Sequence, residues 1–103
     1  MIVYNVTIQV DADIHQDWLL WMQQKHIPDV MATGCFVESR ISRMITDDES
    51  GITYSIQYTA PTMQSLHQYE DIYAADLQQE HHQRYEGKYV VFRTMMEVIS
   101  FHK

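Results

Sequence analysis

Apolar and polar residues alternate strictly from Ile2 to Val10 and again from Ile52 to Thr59. This period of two is the mark of a strand with one buried face. In the first segment Ile2, Tyr4, Val6, Ile8 and Val10 share a side, opposed by Val3, Asn5, Thr7 and Gln9. In the other, Ile52, Tyr54, Ile56 and Tyr58 are opposed by Thr53, Ser55, Gln57 and Thr59. The polar sides match: both are uncharged, which is unusual for a fully wet surface. Between the two strands the period lengthens. Ile14, Trp18, Trp21, Met22 and Lys25 form one stripe of a helix, with Asp13 in the N-cap place and Gln16 at the capping-box position. Pro28 is expected to interrupt that helix and open a short one through Met31, which Gly34 ends in a left-handed conformation.

Cys35 to Ile45 is expected as the second strand, with Cys35, Val37 and Ile41 on one face and Phe36, Glu38 and Arg40 on the other. Pro61 and Thr62 open a second long helix whose stripe is Leu66, Tyr69, Tyr73 and Leu77. It continues through Glu80, His81 and Arg84 and stops near Gly87. Lys88 to Ser100 reads as the last strand. Val90, Phe92, Thr94, Met96 and Val98 face one way, and Tyr89, Val91, Arg93, Met95, Glu97 and Ile99 the other.

The order is therefore β-α-β-β-α-β, an α+β, ferredoxin-like single domain over residues 1–103. Right-handed crossovers give a four-stranded antiparallel sheet in the order 4-1-3-2, with both helices on one face. Val91, Met95, Ile99 and Phe36 are assigned to the other face, and an apolar patch amid polar residues marks an interface. Two such sheets across a twofold axis would close a dimeric α/β barrel. Asn5, Thr7, Gln9, Arg40, Ser55 and Gln57 would line part of its interior. Alternation also puts Tyr89, Arg93, Glu38 and Glu97 there, as cross-strand ion pairs or, for an arginine, as the holder of an acidic or enolic ligand.

Composition narrows the partners. A chain of 103 residues with 46% apolar residues has enough to fold but buries only about 60–65% of its surface alone, so self-association would help it. Fourteen acidic against seven basic residues give a net charge of -7, which disfavours nucleic acid and anionic membranes. Cys35 is the lone cysteine, so no internal disulfide can form, and it reads as a buried strand residue. No run of 18 apolar residues exists. The opening MIVYNVTIQV alternates as a strand would, unlike a secretory leader, so a cytoplasmic location is expected. The loop TDDESG lacks the spacing of a calcium site and reads as a solvated turn.

Candidate chemistry is sparse. His26 stands where the first helix ends, able to act as a base or hold a ligand, or simply to bond a terminal carbonyl. His81 and His82 are adjacent and so point about 100° apart on a helix, and no zinc-type spacing accompanies them. No metal and no cofactor is expected. Trp18 and Trp21 fall in the core stripe.

Four blocks carry a family resemblance: MIVYNVTIQVD at the start, HIPDVMATGCF at 26–36, GITYSIQY at 51–58 and EHHQRYEGKYVVFRTMMEV at 80–98. They resemble a bacterial family of about hundred-residue proteins of unknown function, seen mainly in Bacteroidetes, within the dimeric α/β-barrel group. The resemblance implies sheet-to-sheet pairing and, between the adjacent histidines, favours His81 for any pocket. That group spans cofactor-independent monooxygenases, isomerase-like proteins, haem-binding enzymes and stress-responsive barrels, so the fold alone assigns no chemistry. The leading expectation is a homodimer that binds a small molecule or partner through Asn5, Thr7, Arg40, Ser55, Gln57 and Arg93. The alternative is a cofactor-independent monooxygenase- or isomerase-like enzyme acting on a small aromatic or enolic metabolite, with His26, His81 or Tyr89 moving a proton.

Overall fold

The two cleanly alternating segments become the two central strands, β1 (Ile2–Val10) and β3 (Ile52–Ala60), with β2 (Glu38–Arg43) and β4 (Tyr89–Glu97) at the edges. A computed structural model of the chain describes residues 1–47 and 50–103, so the solvated-turn reading of TDDESG falls, at Asp48 and Glu49, outside the described residues. All pairings are antiparallel and the order is β2-β3-β1-β4, as expected. Two helical arms cross the sheet. The first is α1 (His15–Trp21), a π-helical turn (Met22–His26) and α2 (Ile27–Ala32). The second is α3 (Met63–Gln68), a π-helical turn (Tyr69–Tyr73) and α4 (Ala74–Tyr85). The topology is ferredoxin-like, α+β.

The expected α/β barrel does not hold. The sheet is open, because among the described residues β2 pairs only with β3 and β4 only with β1, leaving an outer edge on each without a strand partner. Closure requires every strand to be paired on both edges.

The face assignment of β4 is inverted relative to the alternation argument. Opposed residues of an antiparallel pair share a face, and β1 sets Asn5 against Thr94, Thr7 against Phe92 and Gln9 against Val90. Val90, Phe92, Thr94 and Met96 thus lie on the open face, while Tyr89, Val91, Arg93 and Met95 turn toward the helices. Both sets of β4 are rich in apolar residues, so alternation alone could not choose between them. Phe36 is also corrected. The second strand begins only at Glu38, so Phe36 sits in the preceding turn and packs into the core against Tyr4, Tyr58 and Tyr69, with ring centroids 4.9–6.2 Å apart. Ile99 lies beyond the end of β4.

The arms differ from a plain helix in an instructive way. Asp13 does not cap α1; the N-cap is Ile14, without a side-chain bond, and Asp13 lies 3.6 Å from Lys88 instead. Pro28 does not break the arm. The Ile27 N–H donates to the Met22 carbonyl in a wide i→i+5 turn, and Pro28 follows in the first turn of α2 where no N–H is required. Thr62 caps α3, accepting from the Ser65 N–H at 3.1 Å. Gly34 and Gly87, at φ 76° and 77°, follow the two arms in the left-handed conformation that favours glycine. No helix of the described residues is long and apolar enough to cross a membrane.

Candidate functional site

Each π-helical turn inserts one extra residue into its arm, and that decides which side chains meet the sheet. In the second arm the regular spacing would continue from Leu66 and Tyr69 to Tyr73 and Leu77. The wide turn advances the stripe by one, so Leu66, Tyr69, Ala74, His81 and Tyr85 are the buried residues and Gln78 faces inward between them. In the first arm the stripe passes from Trp18 and Met22 to His26 and Val30, while Lys25 turns outward to pair with Asp29 and Glu80.

The side chains so placed enclose a chamber of about 40 Å³ between the arms and the sheet, room for roughly three water-sized groups. Val6, Ile8, Ile56, Val91 and Met22 form its apolar wall. The polar or amphipathic side chains of Tyr4, Tyr58, Tyr69, Gln78, Tyr89, His26, His81 and Arg93 line the rest. An outer cleft of about 440 Å³ shares Tyr4, Gln78 and Arg93 with the chamber and adds Glu70, Ala74, Ala75 and Met95. Those three shared residues form a throat between the inner and outer spaces.

His81 is fixed. The Trp18 indole Nε1–H donates to His81 Nε2 at 2.9 Å in the buried interior. Indole is only a donor, so Nε2 is the bare nitrogen and Nδ1 carries the proton of the neutral ring. Burial, then the neighbouring His26, Arg93 and His82, pushes the His81 pKa down to about 4. His26 is less constrained. Its ring lies 5.8 Å from that of His81 and 5.3 Å from Trp21, and its Nδ1 is buried without a hydrogen-bond partner. Burial is the main cause that pushes its pKa down to about 4; Glu80 and Asp29 oppose the shift. Both rings are therefore neutral at pH 7, weak bases or hydrogen-bond partners rather than cations.

Tyr89 stands edge-on to His81, with centroids 4.6 Å apart, and its hydroxyl is 2.8 Å from Nδ1 of the exposed His82. Burial raises the hydroxyl pKa of Tyr4, Tyr58 and Tyr69, so these phenols stay protonated. At Tyr4 the Arg93 guanidinium opposes that rise. The arrangement offers neutral hydrogen-bonding groups inside and one cation at the throat. Among the described residues no group of three or more His, Cys, Asp and Glu gathers to hold a metal ion.

Of the residues singled out by sequence, His26, His81, Tyr89 and Arg93 come together here. Asn5, Thr7, Ser55, Gln57 and Arg40 do not; they share the opposite, open face of the sheet. There Ser55 donates to Asn5 Oδ1 at 2.7 Å, and Asn5 Nδ2 donates to Thr7 at 3.0 Å and to Thr94 at 3.3 Å. Arg40 stands opposite Gln57, and both border an open groove of about 570 Å³ with Val3, Val98 and Phe101. Sequence reasoning missed Tyr4, Tyr58, Tyr69 and Gln78 as site residues. The first three read as core because they are core, buried residues that also border the chamber. For Gln78 a signal existed, since it lies four residues after Ala74 and three before His81, but the spacing counts only once the π turn is known.

A model of the family described as Domain of unknown function (DUF4286) matches residues 1–99. No curated protein matches the chain in sequence. Among solved structures, the chain is similar to a dimeric ferredoxin-like protein from an uncultured marine organism, with a TM-score of 0.74 at 6% identity, covering 100% of this chain and 99% of that one. It is also similar to an ethyl tert-butyl ether d (EthD) family protein from Bacillus halodurans, with a TM-score of 0.69 at 13% identity over 96% and 100% of the two chains. A second dimeric ferredoxin-like protein from an uncultured marine organism gives 0.58 at 8% identity over 98% of each chain. At these identities the likeness is one of fold.

Proposed function

The chain belongs to the DUF4286 family, and from that premise we propose that it is a homodimeric binding protein for a small organic molecule held in the chamber beneath the helices. The observation that carries the ligand reading is the convergence of His26, His81, Gln78 and Arg93 on one cavity that Val6, Ile8, Ile56, Val91 and Met22 also line. Few convergent polar groups in a concave apolar site is the usual composition of a small-molecule pocket.

The homodimer reading draws on the open sheet face. Val90, Phe92 and Met96 are 70%, 60% and 43% exposed along β4, beside the uncharged Asn5, Thr7, Ser55 and Gln57. An apolar strip beside neutral polar groups suits a second copy of the same surface, and Arg40 and Glu38 at its rim supply opposite charges for pairing. Two proteins of similar fold are described as dimeric. Native mass spectrometry of freshly purified protein tests both halves. A doubled mass supports the dimer and a retained small mass supports the pocket. A bare monomer at micromolar concentration counts against the dimer, and failure of every small-molecule probe to perturb His26 or His81 in NMR spectra removes the pocket.

A second reading has one observation behind it: His26, His81 and Tyr89 border the same chamber, where a proton could pass to or from a bound enol or phenol. On this reading the protein is a cofactor-independent monooxygenase- or isomerase-like enzyme. Oxygen uptake or double-bond migration with an enolisable substrate, lost in His26→Phe, would favour it over simple binding.

A further inference from the structure

The outer cleft of about 440 Å³ carries two opposite charges that the fold does not pair. Glu70, Ala74 and Ala75 of the second helical arm border it, opposite Tyr4 of β1 and Arg93 and Met95 of β4. The small side chains of the two alanines, at the start of α4, leave the space between that arm and the edge strand. Lys25, Arg84 and Lys88 all enter ion pairs, but among the described residues neither Arg93 nor Glu70 does. Both charges nevertheless act on one group. After burial, which raises the Tyr4 hydroxyl pKa most, Arg93 lowers it and Glu70 raises it further. A cation from the edge strand and an anion from the helical arm thus stand near the same phenol at the border of one cleft.

We propose that the outer cleft binds a free amino acid with an apolar side chain. Its carboxylate meets the Arg93 guanidinium, its ammonium meets the Glu70 carboxylate, and its side chain lies against Met95, Ala74 and Ala75. Guanidinium and carboxylate match in charge and in their two-point geometry. Glu70 would repel a simple carboxylic acid and Arg93 a simple amine, whereas a zwitterion satisfies both. The field of the whole chain agrees: a net charge of -7 opposes a free anion and is indifferent to a molecule of no net charge. The volume falls within the roughly 300–1,000 Å³ of small-molecule sites, and the flexible thioether of Met95 adapts to side chains of different shape. This site adjoins the inner chamber through Tyr4, Gln78 and Arg93 but requires nothing to enter that smaller space.

The test uses three probes that share an isobutyl group: leucine, 4-methylpentanoate, which lacks the ammonium, and 3-methylbutylamine, which lacks the carboxylate. Each is titrated into the full-length protein by calorimetry, with the methyl resonances of Ala74, Ala75 and Met95 followed by NMR. Leucine should bind about fivefold or more tighter than either single-charge probe, the ratio that one partly exposed ion pair supplies at its upper end. In Arg93→Gln its affinity should fall to that of the amine, and in Glu70→Gln to that of the acid. Both residues are exposed, so the variants will fold. Ala75→Trp, which fills the cleft from an exposed position, should abolish binding of all three. Leucine binding no tighter than the acid or the amine, or unchanged in either charge variant, overturns the amino-acid assignment, as does a failure of leucine to move the cleft methyls. A small mass retained in native mass spectrometry alongside such a failure would sink this site and leave the chamber reading standing.

Discussion

On its helix-covered side the sheet presents Tyr4, Ile8, Tyr54, Ile56 and Tyr58, each at most 5% exposed. On its other side the same two central strands present Gln57 and the mutually bonded Asn5, Thr7 and Ser55, with Phe92 of β4 beside them at 60% exposure. The covered side is nearly all apolar, so its few polar groups cannot exchange their partners for water. One is pinned (His81 by Trp18), and one is left without a partner (His26). On the open side every polar group has water as an alternative, so the same number of hydrogen bonds commits the protein to little. Chemistry concentrates where polar groups are scarce and dry.

The contrast can be broken from the covered side first. Trp18 is fully buried and holds His81, so Trp18→Ala should cost about 3–5 kcal/mol in stability, read from urea unfolding. A loss under 1 kcal/mol would mean that the arm is not anchored there. Acid attacks the same place. Both imidazoles have folded pKa values of about 4, below the 6.5 of a free ring, so the unfolded chain takes up protons first as pH falls. Stability should then decline between about pH 6.5 and pH 4, by roughly 2 kcal/mol per ring after allowance for partial solvent contact. His81→Gln should flatten that slope, and a urea midpoint independent of pH in this window would contradict the burial of both rings.

The open side should answer differently. Phe92→Ala is expected to leave unfolding of the monomer within about 0.5 kcal/mol but to weaken self-association by about 1–2 kcal/mol if this face pairs with a copy. Sedimentation equilibrium separates the two effects, and unchanged association would free the face from that role. The smallest effect is reserved for Asn5→Ala. Its bonds to Thr7, Ser55 and Thr94 are replaceable by water, so a loss of about 0.5–1 kcal/mol is expected. A loss as large as that of Trp18→Ala would show the two faces to be equally dry.

Much of this was legible in the chain. The alternation of Ile2–Val10 and Ile52–Thr59, the helix start at Pro61 and Thr62, the terminating Gly34 and Gly87 and the strand order all follow from local pattern and crossover handedness. His26, His81, Tyr89 and Arg93 stand out in the sequence as candidates, although alternation alone puts Tyr89 and Arg93 on the wrong face.

What only the tertiary structure decided is phase. β4 is apolar on both sides, so nothing within it says which side meets the helices; the register against β1 does. Within each arm a single extra residue in a π-helical turn rotates everything after it, bringing His26 in place of Lys25, and Gln78 beside Leu77, to the interior. Hydrophobic period is a local quantity and determines that an element exists. Which way it faces depends on hydrogen bonds to other parts of the chain, and the site is made of the residues that those bonds turned inward.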